Sequence, residues 1–452
     1  MDNKEITINF KEGSFLGKIR SFFSSANINF VYIFIALLAV FLLVNKYPYM
    51  IIAVLGILTL ISFIALCMNH KINIIGFKLN IFLFIIYFYF LLSFLVSEQS
   101  LTSFLNFNFL RYDGSFFFCY LPFFVFSIIF LNYRKALKIY FYFLFSTFVL
   151  FAVFGFIEYS NFLQSVMVKI DDYYVGLMFV ALNNAHNATG SVYAIVSVFA
   201  LSFFLKGNKK EKIAYGAVLA LCFIALLITK SRGSLLAFLG GAVFVFLLSS
   251  KSVLKFLRNF FLMGVLIVPV ILLTDTLDRI KMIFYAKDLS TLTRISLWEK
   301  AITLFKQSPV IGIGYGRYND VLWHFDSLRL TGKPGIAAMY TQQNFAFNDT
   351  NAHSSYFHFL AETGIIGLVL ILIFWISCFT IIFKAYRTSN NSFNLKAYLS
   401  VLGGILTLFL LSFTENYMTA PTVMFCISVV VALSIGLCWQ ERKENHSEET
   451  SL

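Results

Sequence analysis

The sequence predicts an all-α integral membrane protein of about twelve transmembrane helices, with one large loop on the side of the membrane away from the cytoplasm. Hydrophobic residues make up 59% of the 452 residues and charged residues only 13%, and a water-soluble domain cannot bury so much apolar surface. The apolar residues form runs of about twenty, the length that a helix needs to cross a bilayer. The basic residues lie in clusters between these runs, as is typical of multi-pass membrane proteins.

Nine predicted spans precede the large loop and three follow it. Residues 1–28 form a cytoplasmic N-terminal segment, residues 29–274 hold transmembrane helices 1–9, and residues 275–352 form the large loop. Residues 353–439 hold helices 10–12, and the polar, acidic residues 440–452 are predicted to be a disordered tail. The spans are predicted at residues 29–45, 48–68, 79–96, 116–132, 138–157, 189–206, 213–229, 234–250, 259–274, 361–383, 396–414 and 420–439.

The orientation relative to the membrane follows from the lysines and arginines between the spans. With the N-terminus in the cytoplasm, about 21 basic residues lie on the cytoplasmic side. Because basic residues concentrate on that side of a membrane, both termini are expected to be cytoplasmic and the large loop to be outside. The short outer loops hold only Lys46, Arg111, Lys169, Lys230 and Arg232.

Composition and cysteine placement exclude several classes of protein. The formal net charge is +13, but it is spread over short clusters between apolar runs, so we predict no nucleic-acid partner. All six cysteines lie within apolar runs without metal-ligand spacing, which indicates small buried hydrophobes rather than disulfides or ligands. The first apolar run begins near Asn29 behind a long polar segment, so it is predicted to be a signal anchor.

The large loop contains one predicted helix, at residues 292–307. Ile295, Trp298, Ile302 and Phe305 share a face of this helix, and that face is expected to lie on the membrane surface or to cap the helix bundle. Pro309 ends the helix. The glycine spacing of residues 311–317 superficially resembles a nucleotide-binding loop, but no strand precedes it, so backbone turns are the better interpretation.

Arg232 lies in an outer loop between two very apolar spans. Together with Lys230 it opposes the positive-inside trend, and an arginine at this depth is costly unless it reaches the interface or meets an anion. One interpretation is a side chain that snorkels to the membrane surface. The other is a guanidinium that binds an external anion such as a lipid phosphate, because the neighbouring spans hold no Asp or Glu.

Three further arginines on the same side of the membrane are candidate functional residues. Arg294 begins the amphipathic helix of the large loop, one turn before Trp298, where a solvated side chain is the simpler interpretation. Arg111 is two residues from Asp113, and a local ion pair is the favoured interpretation there. Arg317 follows the glycine-rich turn and is open to either interpretation.

His353 lies where the large loop ends and the next span begins. An imidazole can accept a proton at neutral pH, so His353 is a candidate general base, although a histidine at a helix start more often has a structural role. Glu362 follows on the same stretch and is a candidate supporting residue. The interval between His353 and His358 does not suit two metal ligands on one helix face, so we predict no metal site.

Four sequence blocks occur in a characteristic order. The most characteristic block is His353-Ser354, followed after nine residues by Gly364-Ile365-Ile366-Gly367. The other blocks are residues 187–190, residues 230–236, and residues 294–298 with residues 309–314. An ordered set of blocks is more specific than any one of them. Together these blocks resemble the O-antigen ligase/polymerase family of bacterial membrane glycosyltransferases, and the resemblance covers roughly residues 180–385.

The resemblance implies a GT-C-like fold in the bacterial inner membrane, with the active site at its periplasmic face. It implies transfer of a glycan from undecaprenyl diphosphate to a hydroxyl group, without a metal ion, a nucleotide or another cofactor. The family's essential, donor-binding arginines match Arg232 and Arg294, and its catalytic histidine matches His353. Arg111 and Arg317 have no equally clean counterpart.

Several functions remain open. We favour a ligase that uses the lipid A core as acceptor, because the histidine block fits that signature fully. A polymerase that uses a second lipid-linked glycan, and an enzyme that glycosylates protein hydroxyls, are alternatives with the same donor. A lipid-linked glycan flippase or transporter would need a central substrate path, often with internal repeats and paired charges at mid-membrane, and the sequence shows no convincing repeat. A non-enzymatic scaffold would tolerate loss of His353.

Overall fold

A computed structural model describes the fold, and within its described residues every regular element is a helix. The described residues are 35–37, 74–96, 115–127, 132–165, 186–250, 252–254, 256–258, 261, 264, 289–321, 323 and 351–449. The helices discussed below are α1 (Ile74–Val96), α2 (Ser115–Cys119), α3 (Leu121–Phe126), α4 (Tyr133–Ser165), α5 (His186–Lys206), α6 (Lys209–Ile228), α7 (Arg232–Ser249), α8 (Leu289–Gln307), a 3₁₀ turn (Tyr318–Asp320), α9 (Ser355–Thr388), α10 (Ser392–Leu411) and α11 (Pro421–Glu449).

Eight of the described helices are long and apolar enough to cross a membrane, namely α1, α4, α5, α6, α7, α9, α10 and α11. They coincide with eight of the predicted spans and confirm the all-α, multi-pass membrane fold. The predicted spans 29–45, 48–68 and 259–274 lie almost entirely outside the described residues, so the total of twelve stays a prediction.

The predicted span 116–132 differs from the structure. Its described part holds two short helices, α2 and α3, which are separated at Tyr120. Pro122 lies at the start of α3; it has no N–H to donate, and its ring clashes with the carbonyl four residues earlier in a continuous helix. The apolar stretch Ser115–Phe126 is therefore shorter than a spanning helix.

The centre of the bundle is formed by α5, α10 and α11. Within their most apolar windows, 83% of α5, 78% of α10 and 94% of α11 is buried by the protein itself, against 17% of α6. The outer helices expose large apolar side chains instead, such as Phe84 and Phe88 on α1, which are 64% and 60% exposed. Such residues suit contact with lipid, because hydrocarbon does not penalise apolar surface.

The helix predicted in the large loop is present as α8, and it ends at Gln307, before Pro309 as expected. It packs against the first half of α9. On the predicted apolar face, Ile302 is 37% exposed, and the ring of Trp298 stacks on that of Phe357 of α9 with centroids 5.2 Å apart. The buried face of α8 consists of Ser296, Leu297, Lys300, Ala301 and Leu304.

Candidate active site

The connection between α10 and α11 lies against the first turns of three other helices. At α9, the N–H of Ser355 donates to the carbonyl of Ser412 at 2.9 Å. At α7, Gly233 packs closely against the same connection. At α5, Asn187 donates through Nδ2 to Oε1 of Glu415 at 3.2 Å. The N-terminus of each of these three helices carries a partial positive charge, which favours an anion placed next to it.

Glu415 joins two of the predicted site residues. Its Oε1 accepts a hydrogen bond from Nη2 of Arg294 at 2.8 Å, and its Oε2 lies 2.5 Å from Nδ1 of His353. The Nε of Arg294 also donates to the carbonyl of Thr414 at 3.0 Å. A guanidinium and an imidazole from opposite ends of the predicted large loop therefore meet on one carboxylate.

The charge state of Glu415 follows from these neighbours. Burial raises the pKa of its carboxyl, but the hydrogen bond and charge of His353 and those of Arg294 outweigh burial and hold the pKa below its usual value. Glu415 is thus an anion at neutral pH, and a carboxylate can only accept hydrogen bonds. The Nδ1 of His353 must therefore carry the proton, so a neutral ring has its Nε2 as the acceptor.

His353 has an unusual backbone conformation. Its φ is +45°, in the left-handed region that residues other than glycine seldom adopt. Its N–H donates to Oδ1 of Asn351 at 2.8 Å, and the N-cap of α9, Ser354, follows directly. Backbone strain of this kind persists where the surroundings determine the conformation, and it clusters at functional sites.

Arg232 is the first residue of α7, whose start is fixed by buried hydroxyl groups. The hydroxyl of Ser234 lies 2.8 Å from that of Ser231 and 3.0 Å from that of Ser191 on α5. Because Gly233 packs against the α10–α11 connection, the backbone of Arg232 lies at the same end of the bundle as Glu415. The three predicted site residues on α7, α8 and the start of α9 thus occupy one region.

The remaining predicted candidates have other surroundings. Arg317 forms an ion pair with Asp320, with Nε and Oδ2 3.8 Å apart. Glu362 takes part in a second cluster with the turn after α8, and Arg111 lies outside the described residues. Among the residues that the structure describes, no group of three or more His, Cys, Asp or Glu side chains has the arrangement of a metal site.

The glycine-rich segment after α8 forms backbone turns, as predicted. Gly312, Gly314 and Gly316 all have positive φ. The N–H of Ile313 donates to a carbonyl of α9 at 3.0 Å, and that of Gly314 to the carbonyl of Glu362 at 3.0 Å. These donors are used within the protein, which argues against a phosphate-binding loop here.

The Glu362 carboxylate completes this turn. It accepts hydrogen bonds from the N–H of Gly316 at 3.0 Å and of Tyr318 at 2.9 Å. Successive N–H groups in a tight turn form a concave anion-binding site, and here the anion is a side chain of the protein itself. Glu362, which was predicted to be a supporting residue, therefore stabilises this turn.

Sequence reasoning missed Glu415, Thr414 and Asn187. Glu415 is a carboxylate in a short connection between two very apolar spans, and that isolation was a usable signal. Asn187 belongs to one of the blocks that carry the family resemblance, but no role was assigned to it.

Comparison with known families places this site in context. Residues 216–372 match the family model described as O-Antigen ligase, a range that contains Arg232, Arg294 and His353 and ends before Glu415. A comparison with curated proteins gives no match. The family match supports an activity of the ligase/polymerase type. The match identifies an O-antigen ligase domain at residues 216–372 and confirms, for that stretch, the resemblance to the O-antigen ligase/polymerase family that the order of the sequence blocks predicted.

Proposed function

We propose that the protein is an O-antigen ligase-type glycosyltransferase, which moves a glycan from undecaprenyl diphosphate to a hydroxyl group of the lipid A core. The observation that carries this proposal is the shared carboxylate of Glu415, which joins Arg294 to His353. An anion-binding guanidinium and a group able to take a proton are the two functions that this transfer needs. The family match, which implies lipid-linked glycan substrates, agrees with it.

The donor diphosphate is proposed to bind at the N-terminal ends of α5, α7 and α9. Arg232 and Arg294 add full positive charges to the partial charges of these helix ends. As the bond between the anomeric carbon and the diphosphate oxygen breaks, negative charge grows on the diphosphate. Fixed cations in a partly dry site stabilise that charge, because they are oriented before the reaction begins.

His353 is proposed to be the general base. Its Nε2 takes the proton of the acceptor hydroxyl while the acceptor oxygen forms a bond to the anomeric carbon. The bond to the diphosphate breaks, and its electron pair leaves with undecaprenyl diphosphate. A single displacement of this kind inverts the anomeric carbon. The imidazolium that forms is stabilised by Glu415 at Nδ1, as a carboxylate stabilises the histidine of other catalytic triads.

The positive-inside rule supports a periplasmic location for this site. The last turns of α5 and α9 hold Lys206 and Arg387, at the ends of these helices opposite to the site. Basic residues concentrate on the cytoplasmic side of a membrane. We therefore propose that the site faces the periplasm, with both termini of the chain in the cytoplasm of a bacterium.

The function is tested by replacing His353 with alanine. We expect His353→Ala to reduce glycan transfer by about 10²–10⁴-fold, the usual contribution of a general base, while membrane insertion and the elution profile of the purified protein stay normal. Arg317→Ala is the matched control, since Arg317 pairs with Asp320. Near-normal turnover by folded His353→Ala protein would refute the base assignment.

The acceptor is identified by surface glycans from a deletion strain. Accumulation of free, unligated polymer supports the proposed ligase. A lipid A core capped with a single repeat would instead indicate a polymerase, the alternative with the same donor chemistry. Unchanged surface glycans would overturn both and direct attention to protein acceptors.

A further inference from the structure

Lys300 is a buried cation on α8, outside the Glu415 network. Its side chain is 0% exposed, and its Nζ lies 4.3 Å from the centre of the Tyr318 ring. Within the described part of the chain, Nζ makes no hydrogen bond. Burying an ammonium costs free energy unless other interactions compensate for its lost hydration. The cation–π contact with Tyr318 supplies part of that compensation.

Glu362 is the acidic side chain of the same cluster. Its carboxylate is 0% exposed, and Nε2 of His358 lies 3.4 Å away. Burial lowers the pKa of Lys300 to about 8, while the negative charges of Glu362 and Asp320 oppose this shift. The ammonium form of Lys300 therefore predominates at neutral pH.

Tyr318 connects the two helices of the cluster. Its hydroxyl donates to the carbonyl of Leu297 on α8 at 2.7 Å, and its N–H donates to Glu362 on α9 at 2.9 Å. Its ring also lies 5.3 Å from that of His358 on α9. The hydroxyl of Tyr318 thus contacts α8, its N–H contacts α9, and its ring lies near both Lys300 of α8 and His358 of α9, so the cluster fixes how these helices pack.

The same two helices carry the proposed reacting groups. Arg294 precedes Lys300 on α8 by six residues, or about 9 Å along the helix axis. His353 immediately precedes the N-cap of α9, on the helix that holds Glu362. A shift of α8 along α9 would therefore change the separation between Arg294 and His353, and misplacements of about 1 Å can cost about 10²-fold in rate.

We propose that Lys300 is a positioning residue for glycan transfer, which acts through Tyr318 and Glu362 to fix the separation of Arg294 from His353. This inference rests on the proposed function, since it needs both of those residues to contact substrate. A methionine of similar length would fill the same space without the cost of burying a charge. Buried charges can instead specify one packing arrangement out of several, which is the role assigned to Lys300.

The test uses the full-length protein in detergent, with farnesyl diphosphate as a short analogue of the polyprenyl diphosphate donor. We expect Lys300→Met to raise the Kd for farnesyl diphosphate about tenfold, and Lys300→Arg to restore it to within about threefold. In an Arg294→Ala background, Lys300→Met should have little further effect, because its influence passes through Arg294. Lys306→Met, at an exposed position on the same helix, is the matched control with an unchanged Kd.

Each outcome separates this inference from the proposed function. If Lys300→Met lowers only the melting temperature and leaves the Kd unchanged, Lys300 is merely structural and the inference is overturned. If Lys300→Met does not fold, Tyr318→Phe is the second test. This variant keeps the aromatic ring but loses the hydrogen bond from the Tyr318 hydroxyl to α8. An unchanged Kd for farnesyl diphosphate would then overturn the inference. Binding that is insensitive to both Arg232→Ala and Arg294→Ala would overturn the proposed function as well.

Discussion

Two glutamates, Glu415 and Glu362, hold the same region together in different ways. The carboxylate of Glu415 is bound by the side chains of Arg294, His353 and Asn187, and it is 13% exposed. The carboxylate of Glu362 is bound by two backbone N–H groups and is 0% exposed. The first network consists of groups that can exchange protons or bind an anion, whereas the second closes a turn.

This difference separates the residues around α9 that are expected to act in the reaction from those that maintain the fold. A partly open carboxylate with ionisable partners can redistribute charge during a reaction. A fully buried carboxyl group that accepts hydrogen bonds from backbone N–H groups cannot be removed without leaving those groups unsatisfied. Changes at Glu415 should therefore chiefly reduce turnover of folded protein. Changes around Glu362 should chiefly reduce the amount of folded protein, and should weaken donor binding only by the roughly tenfold factor expected from altered packing of α8 on α9.

The largest expected effect belongs to Glu415→Gln. The amide has nearly the same shape as the carboxylate but no charge, so it neither keeps Nδ1 of His353 protonated nor stabilises an imidazolium. We expect transfer to fall by about 10²–10⁴-fold, as when the carboxylate of a catalytic triad is replaced by its amide. The measurement is turnover per folded molecule, with Glu362→Gln as the paired variant.

The comparison of the two glutamates would fail if both variants gave the same result. Equal losses of folded protein, with normal turnover of what remains, would make Glu415 a structural residue like Glu362. Full activity of folded Glu415→Gln protein would remove the proposed link between His353 and its carboxylate.

An intermediate effect is expected at Arg232. Arg232→Ala should weaken use of the diphosphate donor by about 10–100-fold, because hydrogen bonds to charged groups contribute about 1.5–3 kcal/mol. Arg232→Lys should restore little of this loss, since an ammonium cannot bind two phosphate oxygens with a planar fork. The check is the Kd for farnesyl diphosphate, with Arg317→Lys as the control. Full rescue by lysine would mean that a point charge suffices.

Much of the fold could be predicted because its signals are local. Apolar runs and basic clusters predicted eight helices that the structure contains. Arg232, Arg294 and His353 were predicted because they lie in blocks of recognisable order. Glu415 could not be connected to them in this way, since it is 62 residues from His353 and 121 from Arg294 along the chain. Such contacts arise from helix packing, which no periodicity reveals.

The buried face of α8 shows a second limit of sequence reasoning. The apolar pattern predicted a helix face made of Ile295, Trp298, Ile302 and Phe305. The structure instead buries Lys300 together with Leu297 and Ala301. A lysine counts as polar in any pattern of this kind. Its burial depends on Tyr318 and Glu362, which come from later segments of the chain. The interruption between α2 and α3, by contrast, had a visible cause in Pro122.

The smallest of the three predicted effects is expected at Gly312, in the turn that Glu362 closes. It tests whether this turn contributes to stability and not to the reaction. Gly312 has a φ of +76°, and a Cβ added there would lie 2.2 Å from the carbonyl oxygen of Glu362. Gly312→Ala should therefore destabilise the protein by about 1–3 kcal/mol, from overpacking and from the unfavourable φ. We expect a lower melting temperature with nearly normal turnover of the folded fraction. Gly264→Ala is the control, because no atom of the described residues lies within 4 Å of a Cβ added there. A normal melting temperature with lost turnover would place the turn in the reaction itself, and the distinction between the two glutamates would no longer hold.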